Sequence, residues 1–318
     1  MARGVPVLPS DHRNDSMQVV GHAGLAIQRE GGSPTRFHLD EAVAAGVDRL
    51  ELDVCSSADG ALVMLHDTCL ADGRPVGELT LGEVRRADPE MLTIDDAVDH
   101  LGGRMPILLD LKSARVAQLL GVWFRGRRDT NLFATCTENL PWLVHLRFAA
   151  PGVERWPSYP DIGDRRTHHV QRVMVGLWRS HASLSGLRRG AADVQRAAMQ
   201  LRRAPRESLS RLGGLPWRER LPQDIRQTCA DTGAAGICVH HWVVSDQLVE
   251  EAHNLSLHVN TWTVNNPFAA RMAADAGVDS ITTDRVDLVR LALRSHLQPG
   301  PGTGSAGGLR EAARIAPR

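Results

Sequence analysis

The chain has 318 residues, 42% hydrophobic and 23% charged, which is enough apolar surface for one large core or two ordinary ones and excludes a chain disordered by composition. Its 37 Lys plus Arg balance 37 Asp plus Glu, so no global field draws it to nucleic acid or to an anionic membrane. Five cysteines, an odd number without CxxC or Cys/His pairing, argue against a disulfide framework or a structural zinc site.

Along the chain, residues 1–16 lack periodicity and are expected to form a tail; they hold no apolar stretch of a signal peptide, and no segment approaches the roughly 18 apolar residues of a membrane span. A cytoplasmic location is therefore expected. "MQVVGHAG" reads as a first buried strand. "SPTRFHLDEAVAAG" follows as a helix, with Ser33 as N-cap, Pro34 at the first helical position and Gly46 as the stop. "VDRLELDV" is a second strand, "ALVMLHD" a hairpin arm after the Asp59-Gly60 turn, and "LTIDDAVDHLGG" a helix leading into the third strand, "MPILLDLK". "NLFATC", "VERWPSY", "GICVHH", "LHVNTWTV" and "VDSITTD" complete eight strands, mostly separated by helices. Residues 298–318, rich in Gly, Pro, Ser and Ala, form a second tail.

Eight strand-then-helix units within 17–297 predict one TIM (β/α)8 barrel, because each parallel strand needs a crossover helix and closing the sheet removes its edges. A doubly wound open sheet is the rival, but no Gly-rich loop opens a helix after a strand. Pro160 to Gly233 interrupts the rhythm between strands five and six. Val170, Val173, Met174, Leu177 and Trp178 sit there at helical spacing, so 160–233 is expected as a helical insert beside the barrel. The dense arginines of this stretch read as its solvated face.

In a barrel the chemistry sits where strands end. His22 ends strand one, Glu51 and Asp53 strand two, His66 and Asp67 the hairpin arm, Asp110 and Lys112 strand three. Side chains alternate along a strand, so Glu51 and Asp53 share a direction, as do Asp110 and Lys112. Pointed inward, three carboxylates would repel one another unless a cation neutralises them. An all-oxygen set of this kind suits one hard divalent ion, Mg2+ or Ca2+. Lys112 is the chain's one lysine against 36 arginines. A compact ammonium fits a narrow barrel mouth where a planar guanidinium does not.

"GHAG" at His22, "ELD" at Glu51, "HD" at His66, "LDLK" at Asp110, "WTVN" at Trp262 and "GVDSITTD" at Gly277 come in the order and approximate spacing that resemble the glycerophosphodiester phosphodiesterase family. The resemblance implies a TIM barrel, a divalent metal and hydrolysis of glycerophosphodiesters to glycerol 3-phosphate and an alcohol. It implies Glu51, Asp53 and Asp110 as metal ligands, Asp110 standing where the family usually has Glu. It further implies His22 and His66 as the general acid-base pair, Lys112 as a phosphoryl contact and Trp262 as an apolar wall on the glycerol side. Two departures stand out. Ala23 occupies the place of an expected phosphate-binding arginine, for which Arg74 or an arginine of the insert is the candidate substitute, and the segment after His66 is trimmed.

Other residues read as structural. His240 and His241 are adjacent, so at most one should face the site; Cys55 and Cys69 read as small core residues; Asp284 reads as the cap of a helix starting near Val286. The remaining histidines, His38, His100, His253 and His258 among them, read as surface or structural residues of helices, tails or loops. A small-molecule or lysolipid phosphodiester is the expected partner, with oligomeric state open. The alternatives are a phospholipase D-like enzyme on intact lipids, favoured by the insert, and a binding barrel without turnover.

Overall fold

In the computed structural model of the chain, residues 17–27, 32–159 and 221–297 are described. The expected tails and most of the expected insert, 160–220 with its apolar stripe, lie outside the described residues; 221–232 is helical.

Nine strands form one sheet: β1 Gln18–Gly21, β2 Arg49–Ser56, β3 Leu62–Met64, β4 Ile107–Leu111, β5 Phe133–Thr137, β6 Glu154–Pro157, β7 Gly236–His240, β8 His258–Trp262 and β9 Ser280–Thr283. The parallel order is β6-β5-β4-β2-β1-β9-β8-β7, with β3 antiparallel on β2. Backbone bonds from Ala235 N to Arg155 O (3.0 Å) and from Tyr159 N to Cys238 O (2.9 Å) bring β6 against β7 and close the circle. This is the expected barrel, with "ALVMLHD" as an arm outside it. Helices α1 Arg36–Ala44, α2 Leu81–Ala87, α3 Ile94–Leu101, α4 Ala114–Trp123, α5 Leu140–Ala149, α6 Asp246–Asn254, α7 Pro267–Asp275 and α8 Val286–Leu297 accompany the strands, with short 3-10 turns at His22–Leu25, Val76–Glu78 and Thr130–Leu132.

Two packing layers follow from strand alternation. Leu50, Leu52, Val54, Ile107, Leu109 and Leu111 face outward and pack with helix residues such as Leu39, Ala97, Val116 and Leu120. The opposite faces fill the interior with Leu108, Ala134, Cys136, Trp156 and Cys238 and with a polar set, in which Ser280 Oγ donates to Asn260 Oδ1 (2.9 Å) and Asn260 Nδ2 to Thr282 Oγ1 (3.0 Å). Burying such groups is tolerable because each finds a partner.

The first helix starts later than its sequence predicts. Thr35, not Ser33, is the N-cap; its N–H donates to His38 Nδ1 (3.3 Å). Ser33 Oγ instead donates to Asp88 (3.2 Å), tying the loop to the end of the Leu81–Ala87 helix. Gly46, at φ +71°, does stop the helix. His38 is thus a capping residue, while His100 pairs with Asp40 (2.9 Å) and His253 with Asp279 (3.0 Å). His258 departs from the loop placement: it opens β8, bonds Ser280 Oγ (2.7 Å) and stacks on Trp156.

Candidate active site

Strand register assembles the acidic cluster. Asp53 on β2 lies directly across from Asp110 on β4, and Glu51, two residues before Asp53, faces the same interior. Glu51, Asp53 and Asp110 each bring a carboxylate oxygen within 4.8 Å of the others, and among the described residues they are the one His/Cys/Asp/Glu group so disposed. Lys112 reaches back over the strand end, its Nζ 2.6 Å from Asp53 Oδ1 and 2.7 Å from Asp110 Oδ2. Glu51 Oε2 accepts the Ala23 N–H at 2.8 Å.

Burial sets the proton affinities. Glu51, desolvated and repelled by Asp53, is pushed up to about 8 despite His22 and Lys112. Asp110 is also raised, by burial first and by Asp53, against Lys112. Burial would raise Asp53 too, but Lys112, His66 and His22 together hold it below its ordinary value. For Lys112 desolvation is overcome by Asp110, Asp53 and Glu51, which keep its ammonium charged. One lysine does not complete this set: Asp53 Oδ2 is buried and has no hydrogen-bond partner. An orphaned carboxylate oxygen inside an all-oxygen trio is what a hard divalent cation would satisfy, so these residues fit such an ion.

The two histidines stand beside the trio. Gly21 on β1 pairs with Thr283 on β9, so the residues that follow, His22 and Asp284, meet just beyond the strand ends with Nδ1 and Oδ1 at 2.7 Å. Asn265 Nδ2 donates to the other Asp284 oxygen at 2.6 Å. Burial disfavours a charged His22, but the Asp284 bond and the Glu51, Asp284 and Asp53 charges outweigh it and push the ring up to about 9. His66 follows β3, anchored where Leu65 N bonds Asp53 O (3.1 Å). Its Nδ1 lies 3.2 Å from Asp67 Oδ1, and its ring centroid 5.6 Å from that of His22, nearly perpendicular. Gly32, at φ +63°, makes room for it: a Cβ there would lie 2.6 Å from His66 Cβ.

Asp284 therefore corrects its sequence reading. It holds the His22 ring instead of capping α8, and Asn265, within the quoted "WTVN", holds Asp284. The signal was present, since Asp284 ends a strand as His22 does, but only the β1–β9 register joins them. His240 and His241 depart from strand alternation too: β7 ends at His240, and the two rings lie 4.4 Å apart and tilted by 30°. His240 is buried against Trp242 and Trp262 (4.5 and 5.4 Å), and burial with the neighbouring His241 lowers it to about 3, a neutral ring. Trp262 packs against the barrel-interior cluster, its Nε1 buried and without a partner. Arg74 sits in an exposed loop with its guanidinium bonded to Asp72 (2.6 and 2.8 Å); the insert's arginines before position 221 lie outside the described residues. Ala23 and Leu25 take φ +47° and +62°, a left-handed turn unusual for non-glycine residues, next to the His22 backbone. No helix among the described residues is long and apolar enough to cross a membrane.

Comparison with known proteins places these features in context. A model of the glycerophosphoryl diester phosphodiesterase family matches residues 32–288. The "Probable glycerophosphodiester phosphodiesterase 2" of Mycobacterium tuberculosis is 23% identical over 296 residues, covering 88% of this chain and 95% of that protein. Among solved structures, a glycerophosphodiester phosphodiesterase of Thermotoga maritima superposes with a TM-score of 0.57 at 17% identity, covering 87% of this chain and 99% of that one. An Oleispira antarctica phosphodiesterase, solved with its product sn-glycerol-3-phosphate, does so with a TM-score of 0.59 at 18% identity, covering 87% and 96%. These structural likenesses show the shared barrel.

Proposed function

This chain belongs to the glycerophosphoryl diester phosphodiesterase family and is a phosphodiesterase, and from its barrel mouth we propose that it hydrolyses glycerophosphodiesters to glycerol 3-phosphate and an alcohol by metal-dependent acid-base catalysis. The observation that carries this reading is the convergence of His22 and His66, 5.6 Å apart, beside the carboxylates Glu51, Asp53 and Asp110.

Glu51, Asp53 and Asp110 would hold one divalent ion, Mg2+ or Ca2+. When bound, the ion would supply positive charge to the phosphoryl group and offset the mutual repulsion of three converging carboxylates. Lys112, held charged by those carboxylates, adds a second positive charge where negative charge grows on the phosphoryl oxygens in the transition state. His66 takes the proton of the attacking hydroxyl, either water or a substrate hydroxyl that closes a cyclic phosphate. His22 gives its proton to the leaving alkoxide. The Asp284 bond supports that assignment, because it anchors Nδ1 and turns Nε2 away from Asp284 while favouring the charged ring. Trp262 supplies a flat wall for the glycerol carbons.

The test is release of glycerol 3-phosphate from glycerophosphocholine with Mg2+ or Ca2+ and with EDTA as control, beside release from a lysophospholipid. Loss of either imidazole should cost about 10²- to 10⁴-fold in kcat on glycerophosphocholine. On a nitrophenyl phosphodiester, whose leaving group needs no proton, His22→Ala should lose far less than His66→Ala. Equal losses on both esters would overturn the assignment of acid and base. Absence of glycerol 3-phosphate with either ion, or turnover indifferent to EDTA, would overturn the reading as a whole; choline release from intact lipid alone would favour the phospholipase D-like alternative.

A further inference from the structure

Four rings gather at the ends of β7 and β8. His240 and Trp262 are register partners there, and strand alternation turns both toward the interior, as it does Cys238 and Asn260 one layer below. In the closed circle of strands β7 and β8 stand across from β2 and β4, so this aromatic wall faces the carboxylates over the mouth. The chain then turns sharply. Val243 N bonds His240 O (2.8 Å) and His241 N bonds Trp262 O (3.0 Å), which brings Trp242 against His240, ring centroids 4.5 Å apart, with His241 5.2 Å from Trp242. Trp242 and Trp262 stand steeply to the His240 ring, at 60° and 86°. Trp242, His241 and Trp262 are half-buried, so each keeps part of its surface open.

Building on the hydrolytic reading, on which it rests, we propose that the β7 turn of His240, His241 and Trp242 is the subsite for the leaving alcohol and selects a quaternary ammonium alcohol, choline. Aromatic rings hold a cation at their faces through their quadrupoles, Trp most strongly, and a trimethylammonium group brings no N–H that would need an acceptor. Such a wall requires an uncharged imidazole. Trp242 N donates to His240 Nδ1 at 3.3 Å, a role only an unprotonated nitrogen fills, and burial also favours the neutral ring. The position suits the alcohol. His22, the proposed acid, stands with Asp284 where β1 meets β9, and β8 and β7 follow round the mouth from there, whereas His66 follows the β3 arm beside β2. Trp262 keeps its face for the glycerol and joins the two subsites. Ala23 fits as well: the expected arginine would have placed at the mouth a positive charge that repels choline.

Release of glycerol 3-phosphate from glycerophosphocholine, compared with release from the ester of choline's tert-butyl analogue, in which carbon replaces nitrogen, isolates the charge from the shape. With full-length protein and Mg2+ or Ca2+, kcat/KM should favour the choline ester by about tenfold, the size of one good cation–π contact. Trp242→Leu, apolar but without a π face, should bring the two values within about twofold of each other, and Trp242→Phe should keep an intermediate preference. Equal values on the two esters in an active wild type, or a preference undiminished in Trp242→Leu, overturns the subsite. Binding gives a readout that needs no turnover: choline chloride should perturb the tryptophan fluorescence of the wild type saturably, and the tert-butyl alcohol should not. If Trp242→Leu does not fold, this comparison decides, and an equal response to the two alcohols overturns the proposal. No glycerol 3-phosphate from either ester, with the choline response present, would refute the hydrolytic reading and leave the ammonium subsite standing.

Discussion

Lys112 neutralises the buried Asp53 and the half-buried Asp110 at once, at 2.6 and 2.7 Å, and this explains a lysine in a chain built on arginine. Breaking a buried ion pair by removing one partner costs about 3–5 kcal/mol, because the other partner is left charged and desolvated. Lys112→Met should therefore lower the unfolding free energy of the metal-free protein by about that much, and a saturating divalent ion should restore part of it; denaturant titrations with and without Mg2+ measure both. Lys112→Arg should not restore the native value, since a guanidinium cannot occupy the point between two carboxylate oxygens. Asp284 carries the second prediction. Replacing it by Asn removes the charge that helps keep His22 protonated at pH values up to about 9 in the metal-free protein. A general acid is lost as pH rises through its pKa, so the alkaline limb of the kcat profile should move to lower pH in Asp284→Asn; an unmoved limb would mean that His22 is not the acid. Of these residues, Glu51, Asp53, His22, His66 and Lys112 were legible because charged groups at strand ends have few other reasons to be there. Asp284 was misread because helix capping is a local rule, and local rules do not see a partner 262 positions away.

At the level of elements, the turns after β1 and β3 decide where the imidazoles stand. Gly32 has φ +63° and faces His66, where a methyl group would lie only 2.6 Å from His66 Cβ. Gly46 has φ +71° and nothing within 4 Å of the corresponding position. The pair separates two effects of Gly→Ala. At Gly46 only the left-handed conformation is penalised, at about 1–2 kcal/mol, and kcat should be unchanged. At Gly32 the same penalty is joined by a clash that must push His66 aside, so kcat should fall at least tenfold, as displacement of the proposed general base predicts. Thermal melts and steady-state rates on both variants check this, and equal rates would show that Gly32 does not position His66. The strands themselves were legible from short apolar runs, and α3 from the run "LTIDDAVDHLGG"; the structure caps it with Thr93 and ends it at Gly102 in the αL conformation. The start of α1 was not: Ser33 and Thr35 are both good caps, and the bond from Ser33 to Asp88, 55 residues on, leaves the role to Thr35.

For the whole molecule, the barrel concentrates charge that it would hold more easily with an ion. Both His22, at about 9 against an ordinary 6.5, and Glu51, at about 8 against 4.5, bind protons more tightly folded than unfolded. The sign follows from linkage: the stability tied to His22 is complete below pH 6.5 and lost as pH rises through 9, and that tied to Glu51 is complete below 4.5 and lost through 8. Metal-free protein should thus lose stability from about pH 5 to 9. A divalent ion displaces these protons' role, so it should flatten the dependence and add about 2.7 kcal/mol at 100 times its Kd. Its apparent affinity should in turn fall about tenfold per pH unit below 8, where the proton competes for Glu51. Melts across pH with Mg2+ or EDTA test both, and a profile indifferent to EDTA would argue against a carboxylate-held ion. Alternating apolar runs and helical spacing by themselves determined that this chain is a (β/α)8 barrel, because periodicity is a local property and only a few architectures bury it. Strand-end position likewise singled out Glu51, Asp53 and Asp110, whose oxygens the barrel brings within 4.8 Å of one another. Tertiary structure alone decided who meets whom: Asp284 with His22, Gly32 with His66, Cys136 with Asp110. Such pairings are set by inter-strand register and barrel closure, distances through space that no spacing along the chain encodes.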